Sequence, residues 1–203
     1  MVAKAEYKPL PIARLTSGSG YHHPTYFSPQ PVRVDSPALE VMTDLKLVSA
    51  ATIEVDTHVD VANQAMIARG VRSLLVVDSL GDVVGLVTAR DILGERPMQA
   101  VRSRGVRHED VRVRDIMTPR DAIEVLYLAD VLRAEVGNVL ETLRHSGRQH
   151  ALVVDVDAIS GRQMIRGVFS ASQLARQLGV PVHTTEVART FAEIETVISQ
   201  SGA

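Results

Sequence analysis

The chain has 203 residues, a length that suits one large domain or two small ones, and its 22 Lys and Arg nearly balance 24 Asp and Glu to give a net charge of −2. This balance excludes a general electrostatic attraction to nucleic acid or to an anionic membrane, and no apolar run approaches the roughly 18 residues of a membrane-spanning helix. The absence of cysteine excludes disulfides, thiolate metal sites and a thiol nucleophile. Because charges interrupt Met1–Pro9, where a signal peptide would be apolar, we expect a soluble cytoplasmic protein.

Residues 1–37 are predicted to form an irregular Pro-rich arm. Proline fixes φ and lacks an N–H, so its density here disfavours both helix and sheet. We expect the segment from Tyr21 to Val34 to pack on the protein surface, because its aromatic side chains would otherwise be exposed. The pair His22 and His23 lacks a third ligand, and no metal site is predicted. Six of the nine prolines lie in this arm: Pro9, Pro11, Pro24, Pro29, Pro31 and Pro37.

From residue 38 onward, the sequence contains two copies of one unit. Three blocks recur in the same order: Ala38–Thr43 and Val113–Thr118, Gly70–Asp78 and Gly147–Asp155, and Gly85–Asp91 and Gly167–Gln173. Ordered matches of this kind indicate one supersecondary unit used twice. The predicted organisation is a first domain over 38–100, a connector over 101–112, a second domain over 113–180 and a C-terminal tail over 181–203.

Each copy predicts the element order strand, helix, strand, strand, helix. Apolar residues at helical spacing predict the first helix of each copy, and a glycine follows as its C-cap. Short apolar runs predict two buried strands joined by a hairpin, and a short helix follows at once. In chain order, these elements are the helix Val59–Arg69 with Gly70, the strands Leu74–Val77 and Val83–Val87, and the helix Ala89–Leu93; then the helix Val136–Leu143 with Gly147, the strands Ala151–Val154 and Ile165–Phe169, and the helix Ala171–Leu178.

The connector is rich in arginine, with five between Val101 and Arg114. The favoured interpretation is a solvated helix and linker. The alternative is that some of these arginines bind the phosphate of a ligand.

The strand-to-helix turn of each copy is the remaining candidate for chemistry. The sequence contains no Gly-rich phosphate loop, zinc-protease motif or nucleophile elbow, so an enzyme is not expected and no catalytic residue is predicted. Thr88 with Asp91, and Ser170 with Gln173, have the spacing of helix capping boxes. In the functional interpretation, the hydroxyl and the backbone amides hold a phosphate, and Asp91 accepts both hydroxyls of a ribose. Gln173 has no charge and one acceptor oxygen, so the two turns should differ in affinity.

The repeated Met-Thr starts, the paired strands ending in Leu-Val-Val-Asp and the turn Gly85–Asp91 together resemble cystathionine-β-synthase (CBS) domains, a pair of which forms a Bateman module. The resemblance covers residues 38–180. It implies an α/β fold of two pseudo-symmetric β-α-β-β-α units packed through their sheets, with two clefts between them.

The resemblance also implies a regulatory, energy-sensing module that requires no cofactor and binds AMP, ADP, ATP or S-adenosylmethionine. We expect a homodimer, because two repeats alone are not expected to cover short apolar helices such as Ala171–Leu178. A regulated partner protein is implied but not identified. The alternative is a structural homodimerisation module without a nucleotide ligand.

Carried over residue by residue, the resemblance implies one cleft in which Asp91 holds the ribose, Thr88 holds the phosphate or ribose, and Arg72 and Arg90 reach phosphates. The adenine would lie near residues of the other repeat: Met117, Thr118, Ala122, Ile123, Gln149 and His150. The mirror cleft, where Gln173 replaces the family's Asp, would be weaker and would use Ser170, Ser172, Met42, Thr43, Leu47, Val71 and Ser73.

Overall fold

The computed structural model describes residues 32–179. The α-helices of this part are α1 (Val59–Arg69), α2 (Ala89–Leu93), α3 (Arg96–Arg104), α4 (Val113–Ile116), α5 (Leu128–Val131), α6 (Val136–Ser146) and α7 (Ala171–Gln177). The strands are β1 (Thr43–Asp44), β2 (Thr52–Glu54), β3 (Ser73–Val77), β4 (Val83–Thr88), β5 (Thr118–Pro119), β6 (Val125–Tyr127), β7 (His150–Val156) and β8 (Gln163–Ser170). Short 3₁₀ helices cover Ala38–Val41, His108–Asp110 and Arg120–Ala122. None of the helices described is long and apolar enough to cross a bilayer.

The strands form two four-stranded mixed sheets, ordered β2-β3-β4-β5 and β1-β8-β7-β6. In each sheet, a parallel pair (β2 with β3, β6 with β7) is followed by an antiparallel hairpin (β3 with β4, β7 with β8). Helices α1 and α6 make the crossovers of the two parallel pairs. The predicted β-α-β-β-α repeat and the α/β class are confirmed.

The two repeats exchange their entry strands. Strand β1 lies near the start of the first repeat, yet Thr43 pairs with Val168 of the second. Strand β5 lies near the start of the second repeat, yet Thr118 pairs with Leu86 of the first. Each short strand therefore closes the edge of the sheet built by the other repeat.

Two glycines make room for this exchange. A Cβ atom on Gly85 would lie 2.5 Å from the sulfur of Met117, and one on Gly167 would lie 2.5 Å from the sulfur of Met42. A Cβ at either position would displace the methionine, so each methionine packs against the bare backbone of the opposite repeat. This contact explains why Met and Gly recur together in both copies.

Three apolar clusters stabilise the described chain. Behind the first sheet, Leu74, Val76 and Val87 pack with α1 and with Val113 and Ile116 from the start of the second repeat. Behind the second sheet, the core includes the fully buried Phe169 and, from the start of the first repeat, the segment Ala38–Met42. Between the sheets, Leu75, Leu86 and Leu152 form the third cluster. The exchange thus extends from the strands into both cores.

Local helix signals are confirmed in the first copy and only partly in the second. Gly70 and Gly147 end α1 and α6 in the left-handed conformation, each with φ of 63°, and Thr88 with Asp91 forms a capping box. The capping box predicted for Ser170 and Gln173 is wrong, because Ser170 makes no side-chain cap hydrogen bond.

The physical reason lies in the exchanged strand. The longer side chain of Gln173 reaches Thr43, whose hydroxyl donates to the amide oxygen at 3.1 Å. The hydroxyl of Ser170 lies 3.1 Å from that of Ser172 instead.

The last residues of the arm pack along α6. The N–H groups of Gly137 and Val136 donate to the carbonyls of Val34 and Ser36, both at 2.9 Å. The arm before Val32, with His22, His23 and the aromatic segment, and the tail from 180 lie outside the described residues.

Four of the five connector arginines contact acidic or backbone groups. Arg104 pairs with Asp115, Arg107 with Glu109 and Asp110, and Arg114 with Asp56, while Arg112 donates to the carbonyl of Asp56. This arrangement favours the interpretation of 101–112 as a solvated linker.

The apolar face of α7 is covered by residues of both repeats within the same chain. Ala171, Leu174 and Ala175 are buried in the second core. The argument for a homodimer from this helix therefore does not apply, and the homodimer stays a prediction.

Candidate ligand-binding clefts

Two cavities open between the sheets, with Leu86 and His150 common to both. The first cleft, of about 780 Å³, is lined by Leu86, Thr88, Arg90, Asp91, Gly94, Glu95, Arg96, Thr118, Ala122, Gly147, Arg148, Gln149 and His150. The second cleft, of about 240 Å³, is lined by residues that include Thr43, Val71, Arg72, Ser73, His150, Ser170, Ser172, Gln173 and Arg176. Each cleft is therefore built from both repeats.

Asp91 is the acidic group at the turn that opens into the first cleft. One carboxylate oxygen, Oδ2, accepts from the N–H of Thr88 at 2.9 Å and from its hydroxyl at 2.7 Å. The other oxygen, Oδ1, lies 3.1 Å from Nη1 of Arg96. The Asp91 side chain is 13% exposed, so it caps α2 and still reaches the cleft.

Arg96 crosses from the first repeat to the entry segment of the second. Its Nη1 donates to the carbonyl of Ile116 at 2.6 Å and lies 3.5 Å from the hydroxyl of Thr118. Sequence reasoning missed this residue, because Gly94 and Glu95 separate α2 from α3 and no helical periodicity relates Arg96 to Asp91. Proline at the second position of α3 was the one local sign that a helix begins there.

His150 is a buried polar group in the wall between the clefts. Its side chain is 8% exposed, and no hydrogen bond to the ring is found among residues 32–179. Burial, and to a lesser extent the charge of Arg72, lower the pKa of His150 to about 4. The imidazole is therefore neutral at pH 7 and offers one donor and one acceptor.

The first cleft contains most of the residues expected there. Thr88, Arg90, Asp91, Thr118, Ala122, Gln149 and His150 line it. Met117 lines an adjoining groove, which shares Arg96, Thr118 and Ala122 with the cleft. Ile123 packs in the cluster between the sheets.

The structure places Arg72 in the lining of the second cleft and not in that of the first. Thr43, Val71, Ser73, Ser170 and Ser172 line this cleft as expected. Met42 instead packs against Gly167, and Leu47 is 82% exposed.

The clefts differ in charge. The first is lined by both acidic and basic side chains, and its Arg148 pairs with Glu124 at 3.1 Å. The second is lined by Arg72 and Arg176, and none of the residues that line it within 32–179 is acidic. The described residues contain no cluster of three or more His, Asp or Glu that could hold a metal ion.

Comparisons with known proteins agree with this architecture. The family model of the CBS domain matches residues 38–97. No curated protein matches the chain at a significant level.

Among solved structures, an uncharacterized conserved protein from Pyrococcus horikoshii is 24% identical, covers 76% of this chain and 100% of its own, and has a TM-score of 0.52. Protein MJ1225 from Methanocaldococcus jannaschii is 19% identical, covers 69% of this chain and 49% of its own, and has a TM-score of 0.50. The structure of CBSX2, a CBS-pair protein of Arabidopsis thaliana, in complex with AMP is 21% identical, covers 70% of this chain and 94% of its own, and has a TM-score of 0.48. At these identities, the likeness concerns the fold.

Proposed function

We propose that this chain, whose residues 38–97 match the family model of the CBS domain, is a regulatory module that binds an adenosine-containing ligand in the first cleft. The observation that carries the proposal is the position of Asp91. This residue lies in the first turn of α2, which directly follows β4, and lines a cavity of about 780 Å³, a volume within the range of small-molecule sites.

The side chains around Asp91 suit a nucleoside with a phosphate. A carboxylate accepts hydrogen bonds from both hydroxyls of a ribose. Arg90 and Arg96 line the same cleft and supply cations for a phosphate. Thr118 and Ala122 line the same cleft from the other repeat, and the base is proposed to lie against them.

Regulation follows from the shared construction of the cleft. A ligand there contacts Thr88 and Asp91 of one repeat and Thr118 of the other. Binding therefore favours one spacing of the two repeats over others, and that bias is what a partner protein can detect.

The first test combines ligand binding with a change at Asp91. A ligand that binds only the native state raises the thermal midpoint, so AMP, ATP and S-adenosylmethionine are compared by scanning fluorimetry. Asp91→Asn should weaken the bound ligand by about 1.5–3 kcal/mol, the scale of a hydrogen bond to a charged group. It should lower the free energy of unfolding by less, roughly 0.3–1 kcal/mol.

Calorimetric titration of the wild type and Asp91→Asn separates the two roles of this side chain. Thr43→Val serves as a matched control, because it alters a polar lining residue of the second cleft only. If Asp91→Asn loses stability but keeps its ligand affinity, Asp91 is a helix cap and the proposal is wrong.

A structural dimerisation module is the second candidate function. The observation in its favour is that both oxygens of Asp91 already have protein partners, Thr88 and Arg96. In that case none of the adenosine compounds shifts the thermal midpoint, and light scattering at tens of micromolar gives a dimer mass.

A further inference from the structure

The ion pair between Asp91 and Arg96 lies where the ligand of the first cleft would bind. We propose that Arg96 is a latch that makes this cleft select adenosine compounds bearing a phosphate over uncharged adenosine and over the sulfonium cation of S-adenosylmethionine. The inference rests on the proposed function and specifies its ligand class.

Asp91 has too few free acceptor positions to bind a ribose while it is paired with Arg96. Oδ2 already accepts two hydrogen bonds from Thr88 within the capping box. Oδ1 faces Arg96 at 3.1 Å, and a carboxylate oxygen has about two acceptor positions. The two hydroxyls of a ribose therefore fit on Asp91 only if the guanidinium of Arg96 moves away.

The backbone of Arg96 is fixed, so the movement is confined to its side chain. Arg96 begins α3, and Pro97 and Ala100 of that helix are buried. The guanidinium is also bound to the carbonyl of Ile116, and its side chain is 45% exposed. A partly exposed arginine on a fixed helix can change rotamer at modest cost, while its charge stays in the cleft.

Once Arg96 has left Asp91, the unpaired positive charge of its guanidinium determines which ligand is favoured. The side chains lining the first cleft include three cations, Arg90, Arg96 and Arg148, and two acids, Asp91 and Glu95. Ribose hydroxyls replace Arg96 on Asp91 without supplying a negative charge, so the freed guanidinium loses its ionic partner. A phosphate on the ligand restores that partner, whereas a neutral nucleoside does not and a sulfonium adds a further cation.

The test compares AMP, adenosine and S-adenosylmethionine on the full chain by calorimetric titration. The variants are Arg96→Gln, which removes the charge, and Arg96→Lys, which keeps it. Arg102→Gln is the matched control, because Arg102 is an exposed arginine on the same helix and does not line the cleft. Asp91→Asn identifies the heat that comes from the first cleft, and thermal melts check that each variant is folded.

The wild type should prefer AMP to adenosine. In Arg96→Gln, the ratio of the two affinities should fall by about fivefold to tenfold, because adenosine binds more tightly and AMP more weakly. Arg96→Lys should restore most of the preference, and Arg102→Gln should leave it unchanged.

Two results would contradict the proposed role of Arg96 in ligand selection. One is an unchanged ratio in Arg96→Gln while AMP still binds, and the other is adenosine or S-adenosylmethionine binding the wild type as tightly as AMP. If no adenosine compound binds the wild type, the proposed function itself fails, and the latch fails with it.

Discussion

The two oxygens of Asp91 have different partners, which suits both its cap of α2 and the ligand-binding role proposed for it. Oδ2 completes the cap of α2, and Oδ1 pairs with Arg96. In the second copy the residue at this position is Gln173, whose oxygen accepts from Thr43. A single carboxylate-to-amide difference therefore gives the two clefts different acceptors and different charges.

His150 makes the protein sensitive to acid at the wall between the clefts. Its pKa is about 4 in the folded chain, against about 6.5 in an unfolded one. The unfolded state thus binds the proton more readily, so the stabilising contribution of neutral His150 is complete above pH 6.5 and is lost as the pH falls toward 4. The free energy of unfolding should drop by about 2 kcal/mol between pH 7.5 and pH 5 from this residue alone.

Urea unfolding at pH 7.5 and pH 5 measures this loss. The variant His150→Gln has no titrating ring and should show a smaller drop than the wild type. The exposed His145, changed to Gln, provides the control and should keep the drop of the wild type. An equal drop in His150→Gln and the wild type would show that the pH sensitivity originates elsewhere.

At the scale of elements, the exchanged strands β1 and β5 connect the two repeats. Each has only two residues, too few to form an edge strand without further contacts. The methionine next to each strand packs on a glycine of the opposite hairpin and supplies that contact. The strand and its methionine therefore act together.

The two glycines should tolerate alanine unequally. At Gly85 a new Cβ would meet the sulfur of Met117 and, at 2.9 Å, the backbone carbonyl of Thr118. At Gly167 the close atoms all belong to the flexible side chain of Met42. Because a methionine can move and a paired strand cannot, Gly85→Ala should cost about 2–3 kcal/mol and Gly167→Ala about 1 kcal/mol.

Urea denaturation of both variants gives the two costs. In a Met42→Ala background, the cost of Gly167→Ala should be smaller than in the wild type, because the close side-chain atoms are gone. In a Met117→Ala background, the cost of Gly85→Ala should fall less, because the clash with the carbonyl of Thr118 remains. Equal costs at both glycines would contradict the unequal contacts.

Local signals predicted the repeated elements well. Helix α2 spans the predicted Ala89–Leu93, and Gly70 and Gly147 end their helices as expected, because these features depend on residues close in sequence. The pairing of β5 with β4, the position of Arg72 in the second cleft and the contact of Arg96 with Asp91 were not predicted. They depend on which segments meet in space, and one sequence with two similar repeats does not specify which partner each entry strand takes.

For the whole molecule, the exchange means that the sequence repeats and the packed units do not coincide. The core of the first sheet contains Val111, Val113 and Ile116, which follow the first repeat in the chain. The core of the second sheet contains Ala38, Val41 and Met42, which belong to the start of the first repeat. Either repeat, cut at its sequence boundary, loses part of its own core and keeps a segment that belongs to the other.

Two fragments of equal length test this consequence. Fragment 33–110 follows the sequence boundary, and fragment 46–123 follows the packed unit with β2, β3, β4 and β5. Both expose Leu75 and Leu86, which face the other sheet, so that loss is matched. Only 46–123 retains Val111, Val113 and Ile116, and burying three such side chains contributes about 5–9 kcal/mol, comparable to the whole stability of a small domain.

We expect 46–123 to unfold cooperatively in urea, followed by circular dichroism, at a higher midpoint than 33–110. A higher midpoint for 33–110 would mean that the entry strands contribute little, and that each repeat closes its own core without the exchange.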